Sequence, residues 1–220
     1  MSLLDSLLLD PPRLDVWIAV RTDGVAGTGT ESDPYDGSTQ VKFDALMNSF
    51  AAYTSIHLGP GTFETRGYSN VALGGGHPTW QPKAGMKILG SGIDVTYLKI
   101  VNAGSYNNTT LENGLYFAIG ATFGNVVDYF EVSDLTIDSN MAGQPVTPGL
   151  GYAHLACGAI RVTGSYVRIR RVKAINWGTQ TEVLECFVLD AGSAHPLLPE
   201  LVNPIIELDF EGSRAQVIDS

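Results

Sequence analysis

Two ten-residue stretches decide the fold: YFEVSDLTID at residues 129–138 and YVRIRRVKAI at residues 166–175. They align without a gap at a separation of 37 residues, and every inward apolar position of the first meets an apolar residue of the second. Short segments rich in β-branched and aromatic residues are typical of strands. A strand that recurs at this interval, without alternating helices, predicts the stacked coils of a β-solenoid and disfavours a sandwich or a barrel.

The same register extends to residues 86–88, which precede the first stretch by 44, and to residues 206–208, which follow the second by 39. In a parallel stack, equivalent residues of neighbouring strands lie about 4.8 Å apart. The outward position then carries charges that alternate in sign: Lys87, Glu131, Arg168 and Glu207. A second column pairs Asp134 with Arg171. We therefore predict a ladder of structural salt bridges on a solvated face, with a charged sugar-binding strip as the alternative.

The composition also favours a β protein. Only 16% of the 220 residues are charged and 25 are glycine, whereas helical bundles need many Glu, Lys and Ala. One helix is predicted at residues 41–53, with Ser38 or Thr39 as its N-cap. Its apolar residues recur at helical spacing: Val41, Ala45, Leu46 and Phe50.

The charge balance excludes two classes of partner. The net charge of -10, from 23 acidic and 13 basic residues, disfavours nonspecific binding to nucleic acid and to anionic membranes. No apolar run is long enough to span a bilayer as a helix. Asp5 and Asp10 precede the first basic residue, Arg13, so no signal peptide is predicted.

Metal-ligating residues are few. Cys157 and Cys186, and the four histidines, lie at no metal-ligand spacing, so no metal site is predicted. The two cysteines are consistent with a disulfide or with a pair of buried thiols. In the long loop at residues 141–157, His154 is the candidate for acid–base chemistry because histidine titrates near neutral pH, and an incidental histidine is the alternative.

Two carboxylates lie close together in the segment SDLTID. Asp134 and Asp138 are expected to alternate outward with Thr136, where they could bind calcium or act as the two carboxylates of a hydrolase. The structural alternative is an ion pair with Arg171 and turn capping toward Asn140. No cofactor is therefore predicted, and Ca²⁺ is the ion that the sequence leaves open.

The N-terminal third carries a recognisable order of motifs. The predicted helix is followed by TSIHLGPGTFET at residues 54–65 and by GMKILGSGIDVTYLKI at residues 85–100. This order resembles the opening of pectate-lyase-like right-handed parallel β-helix proteins. The counterparts of the family's motif residues are Pro60, Gly61, Thr62, Phe63, Gly90, Gly92 and Thr96. FEVSDLTIDSN at residues 130–140 looks like the family's recurring strand pair, and the likeness covers residues 16–175.

The resemblance implies an all-β, right-handed parallel β-helix with a short N-terminal capping helix. Residues 1–15 would be an N-terminal segment and residues 16–220 a single domain. In the C-terminal segment SRAQVIDS, residues 216–219 are predicted to begin a new strand that stops before its coil closes. We therefore expect an uncapped C-terminal end, which predicts either a piece of a longer protein or a homo-oligomer that stacks through this coil.

The family that the sequence resembles includes polysaccharide lyases, glycoside hydrolases, phage tailspikes and noncatalytic adhesins. The clustered Asp motifs of its hydrolases and the Arg-x-Pro-x-x-Arg motif of its lyases are missing from the sequence. We expect a module that binds or is displayed against extracellular polysaccharide, without a complete catalytic site, outside the cell or on a cell or virion surface. The alternatives are an active lyase or hydrolase and a structural unit of a fibre, tailspike or adhesin.

The candidate carbohydrate-binding residues are Arg161 in GAIRV and Tyr116 in GLYFAIG. In a β-helix these strands can share one face. An arginine beside an aromatic ring can stack a sugar and pair with a uronate carboxylate. An ordinary surface arginine and tyrosine are the alternative.

Overall fold

A computed structural model of the protein describes residues 13–71, 75–102, 114–121, 125–143, 155–179, 187–190 and 207–211. These residues form a parallel β-solenoid of about three turns with one short α-helix. The predicted all-β solenoid is therefore confirmed. No helix in these ranges is long and apolar enough to cross a membrane.

The described strands are, in chain order, β1 (Leu14–Ala19), β2 (Tyr35–Asp36), β3 (Thr54–Leu58), β4 (Gly61–Thr65), β5 (Tyr68–Val71), β6 (Gly75–Pro78), β7 (Lys87–Leu89), β8 (Thr96–Ile100), β9 (Gly114–Gly120), β10 (Glu131–Asp138), β11 (Leu155–Thr163), β12 (Arg168–Ile175), β13 (Gly178–Thr179), β14 (Phe187–Asp190) and β15 (Glu207–Glu211). The helix α1 (Gln40–Ser49) lies between β2 and β3, and a 3₁₀ turn (Met141–Gly143) follows β10.

Sheet 1 consists of two columns of parallel strands. One column runs in the order β2, β1, β3, β7, β10, β12 and β15, and the other pairs β4 with β8 and β8 with β10. The register is the one that the sequence alignment predicts. Glu131 lies opposite both Lys87 and Arg168, and Arg168 lies opposite Glu207. Residues far apart along the chain thus become neighbours across the stack.

Sheet 2 forms a further face of the solenoid. Its strands β9, β11 and β14 are parallel. Strand β5, however, is antiparallel to both β6 and β9, and β13 is antiparallel to β11. Sheet 2 therefore departs from the purely parallel arrangement that the sequence predicts.

Strand β10 belongs to both columns of sheet 1 because it bends at its middle residue. Asp134 has a left-handed φ of 60°, and its neighbour on β12, Arg171, has a φ of 47°. A residue in this conformation interrupts the in–out alternation of side chains. Thr136 is consequently fully buried, and its Oγ1 accepts a hydrogen bond of 3.0 Å from the Asp94 backbone N–H. The prediction that Thr136 alternates outward with Asp134 and Asp138 is wrong.

The Gly and Thr residues of the N-terminal motifs build the corners between the two columns. Gly61 has a φ of 123°, which residues other than glycine rarely adopt. At Gly90, a Cβ atom would lie 2.2 Å from the backbone oxygen of Asp134, so only glycine permits this close approach. Thr96 Oγ1 donates a hydrogen bond of 2.9 Å to the backbone oxygen of Gly59.

Helix α1 is capped as predicted, but it buries a different face. Thr39 Oγ1 accepts a hydrogen bond of 3.4 Å from the Lys42 backbone N–H. The buried residues of the helix are Phe43, Asp44 and Met47. Val41 is 70% exposed and Ala45 is exposed as well. The apolar face predicted from helical spacing is therefore wrong at both positions.

The buried carboxylate of Asp44 accounts for this orientation of the helix. Its Oδ1 accepts a hydrogen bond of 2.6 Å from Thr65 Oγ1, and its Oδ2 accepts bonds from the Arg66 backbone N–H at 3.0 Å and from Gln40 Nε2 at 2.5 Å. Burial raises the pKa of Asp44, and these hydrogen bonds oppose the rise. The satisfied carboxylate joins α1 to the end of β4 and turns Phe43 toward the core.

Two tyrosines just before β10 and β12 follow the same register as these strands. The rings of Tyr129 and Tyr166 are stacked, with centroids 4.8 Å apart and planes at 1°. The next residues, Phe130 and Val167, point inward and are 0% and 1% exposed. The outward stack and the inward apolar pair therefore follow the same 37-residue separation.

Candidate functional site

Arg161 lies on the outward side of β11 in sheet 2. It is half-buried, whereas the residues on either side of it, Ile160 and Val162, belong to the core. The Arg161 Cζ atom lies 6.0 Å from the centroid of the Tyr68 ring. Tyr68 is the first residue of β5 and is fully buried. The guanidinium is therefore supported from one side by an aromatic ring, within the range of a cation–π contact.

Two buried polar atoms at this place lack a hydrogen-bond partner. Within the described part of the chain, neither Arg161 Nη1 nor Tyr68 Oη is hydrogen-bonded. Leaving such an atom unpaired costs about 1–3 kcal/mol. Burial raises the pKa of the Tyr68 hydroxyl, and the positive charge of Arg161 partly opposes the rise. The hydroxyl therefore keeps its proton at neutral pH, so it and the guanidinium can both donate to oxygen atoms of a ligand.

Tyr116, the predicted partner of Arg161, lies farther along the sheet. In the register of β9 and β11, Tyr116 is opposite Cys157 and Gly120 is opposite Arg161. The four-residue offset corresponds to about 13 Å along the strands. The structure therefore brings Tyr68, which the sequence analysis missed, to Arg161.

Gly120 provides the space that Tyr68 occupies. A Cβ atom on Gly120 would lie 2.5 Å from the Tyr68 Cβ. A glycine inside an apolar strand is a sequence signal for the close approach of another group. That signal marks Gly120 in GLYFAIG, but it does not identify Tyr68 as the group that approaches.

Two pairs of the predicted charge columns are ion pairs in the described residues. Lys87 Nζ lies 3.2 Å from Glu131 Oε2. Arg171 donates two hydrogen bonds to Asp134, from Nε at 2.5 Å and from a terminal nitrogen at 2.7 Å. The bond to Arg171 lowers the pKa of Asp134. The pair therefore contributes to stability at neutral pH, and this contribution is lost as the pH falls through the lowered pKa.

Asp138, the second candidate carboxylate, caps a turn. Its Oδ1 accepts hydrogen bonds of 2.9 Å from the Asn140 backbone N–H and from Asn176 Nδ2. Both carboxylates proposed for calcium or hydrolysis are thus held by protein donors. Among the described residues, no group of three or more His, Cys, Asp or Glu could hold a metal ion.

Two of the cysteine and histidine candidates are not among the residues that the structure describes. His154 and Cys186 lie outside the described residues. Cys157 lies in β11, opposite Tyr116 in one neighbouring strand and Gly178 in another. The acid–base role of the histidine and the state of the cysteines stay predictions.

Comparison with known proteins gives no match: no family model, no curated protein and no solved structure is significantly similar to the chain. The likeness to pectate-lyase-like proteins therefore has the solenoid fold and the motif residues as its support, and the family stays a prediction. Because one fold serves many activities, the fold does not decide function. Arg161 and the groups around it are the part of the structure whose chemistry points to a ligand.

Proposed function

We propose that the protein is a β-solenoid module that binds an acidic polysaccharide, outside the cell or on a cell or virion surface, and that Arg161 on sheet 2 holds a uronate carboxylate. The observation that carries this proposal is the pair of buried, unpartnered donors, Arg161 Nη1 and Tyr68 Oη. A carboxylate supplies two acceptor oxygens in one plane, which matches the planar fork of a guanidinium. The Tyr68 ring supports the guanidinium from one side.

Because the protein carries a net negative charge, binding of an acidic polysaccharide must depend on local contacts. A net charge of -10 repels a polyanion at long range. Attraction must therefore come from a desolvated contact at short distance, where water and salt screen the charges least. The proposal predicts specific binding to uronates and no general affinity for polyanions such as nucleic acid.

Binding to galacturonate oligosaccharides, measured by isothermal titration calorimetry, tests the proposal. We expect Arg161→Gln to weaken binding about 10- to 100-fold because it removes a charge-assisted hydrogen bond. Arg161→Lys should recover only part of the affinity because an ammonium lacks the planar fork. The matched control is Lys99→Gln, which removes the same charge from β8 in sheet 1 and should bind like the wild type.

The same samples separate the alternative functions. Absorbance from new double bonds, with and without calcium, reports a lyase, and new reducing ends report a hydrolase. An apparent molar mass, from light scattering, that rises with protein concentration reports an assembly unit. Equal affinity of the wild type and Arg161→Gln for the oligosaccharide, or no binding by either, would contradict the proposed role of Arg161.

A further inference from the structure

A cleft beside sheet 2 is a second candidate ligand site. A cleft of about 450 Å³ lies between the end of α1, residues 80–84 and residues 125–126. Small-molecule sites have volumes of roughly 300–1,000 Å³, so this cleft can hold one or two sugar rings.

The polar part of the cleft consists of amide side chains. Asn48, Gln81 and Asn125 line it. Asn125 Nδ2 donates a hydrogen bond of 3.0 Å to Gln81 Oε1, which orients these two amides relative to each other. Every amide carries both donor hydrogens and an acceptor oxygen. A hydroxyl group also donates and accepts, so the lining matches a ligand that is rich in hydroxyls.

The charges around the cleft disfavour an ionic ligand. No carboxylate is among the described residues that line it, so a cation finds no compensating charge there. Lys83 supplies a positive charge, but its Nζ donates to the backbone oxygens of Asn48, at 3.0 Å, and of Phe50. These carbonyls lie at the C-terminal end of α1, where the helix dipole is negative. The ammonium is thus already compensated, which favours a neutral ligand.

The rest of the wall is apolar and rigid. Pro82, Ala84 and Val126 offer carbon surface to the C–H face of a sugar ring. Trp80 is 2% exposed, and its Nε1 donates a hydrogen bond of 3.0 Å to Thr65 Oγ1. The cleft is therefore held in shape by a side chain that is itself fixed, and it does not have to form upon binding.

The cleft adjoins the Arg161 site along β11. Val126, in its wall, forms a parallel bridge with Thr163. Thr163 is two residues after Arg161, and both are half-buried, with the buried Val162 between them. Two residues of strand span about 6.6 Å. A polysaccharide held at Arg161 can therefore continue into the cleft.

We propose that the cleft is the subsite for a neutral sugar next to the uronate held by Arg161, so that the ligand is a polysaccharide in which uronate and neutral sugars alternate. This inference rests on the proposed function and specifies its ligand. It predicts that the protein prefers a mixed oligosaccharide over a pure uronate oligosaccharide of equal length.

Two octasaccharides test the inference by calorimetry: one alternates glucuronate with N-acetylglucosamine, and the other contains galacturonate alone. We expect the wild type to bind the mixed octasaccharide about fivefold or more tightly, from one or two hydrogen bonds to neutral groups. Asn125→Ala and Gln81→Ala should remove this preference, because they weaken binding of the mixed octasaccharide more than binding of the uronate octasaccharide. The control Asn176→Ala removes an exposed asparagine that directly follows β12 of sheet 1, and it should leave the preference intact.

The outcomes separate the two proposals. Arg161→Gln should weaken binding of both octasaccharides, because both contain uronates. If the wild type binds the two equally, or if the cleft variants keep the preference, the cleft inference is overturned even where Arg161→Gln still weakens binding. If neither octasaccharide binds the wild type, the proposed function itself fails.

Discussion

Phe130→Ala is expected to lower the free energy of unfolding by about 3–5 kcal/mol, the usual range for truncating a fully buried phenylalanine. Phe130 is 0% exposed and lies between two other buried apolar residues of the stack, Met86 and Val167. The backbones around it are fixed: the Glu131 N–H donates to the Met86 oxygen at 3.0 Å, and the Arg168 N–H donates to the Phe130 oxygen at 2.8 Å. These stacked strands are the rungs of the solenoid, and their hydrogen bonds prevent them from closing the space that the ring leaves. The cavity therefore persists, and most of the lost free energy of unfolding is not recovered.

The residue before Phe130 provides the control. Tyr129 is 43% exposed and contacts the Tyr166 ring on the outside of the solenoid. Tyr129→Ala removes an aromatic side chain of similar size but should cost only about 1 kcal/mol, the value of the ring stack. Chemical denaturation followed by circular dichroism measures both. Equal losses in the two variants would mean that Phe130 does not point into a closed core.

Gly90→Ala is expected to be the second severe substitution. A single added methyl group should lower the free energy of unfolding by roughly 3 kcal/mol. The new Cβ would lie 2.2 Å from the Asp134 oxygen and 2.7 Å from the Leu135 Cβ. The nearer atom belongs to the backbone of the next rung, at the bend of β10, and cannot rotate away. Relief would require the two rungs to separate, which would break ladder hydrogen bonds of sheet 1.

Gly59→Ala is the matched control, because Gly59 follows β3 as Gly90 follows β7. A Cβ at Gly59 would meet its nearest atom at 3.5 Å, an ordinary contact, and its φ is not in the left-handed region. This variant should be neutral or more stable by up to about 1 kcal/mol, because alanine restricts the unfolded chain. A stable Gly90→Ala protein, with an unfolding midpoint like that of Gly59→Ala, would contradict the stacking of β7 under β10.

The sequence was sufficient to predict the register of sheet 1. Stacked rungs place equivalent residues in the same environment. Val132 and Ile169 are therefore both apolar, and Glu131 and Arg168 carry opposite charges. Such a repeat is visible without any homologue. The inward and outward directions of the side chains after the bend in β10 were not predictable, because Asp134 takes a left-handed φ that is uncommon for residues other than glycine.

The sequence-based predictions that failed concern features that depend on single contacts between distant segments. The orientation of α1 follows from the bonds between Asp44 and the end of β4, which helical spacing does not reveal. Tyr68 lies on an antiparallel strand that has no counterpart in the repeat, and its partner Arg161 belongs to a later rung. The arginine of the candidate site could be found in the sequence, but the tyrosine beside it could not.

Nuclear Overhauser contacts between β10 and β12 measure whether the two strands stack in parallel. In a deuterated, ¹⁵N-labelled sample, parallel stacking predicts contacts that pair Glu131 with Arg168, Val132 with Ile169 and Ile137 with Ala174, always at a separation of 37 residues. Contacts that run in the opposite order along the two strands, or that join each strand to a different partner, would contradict it.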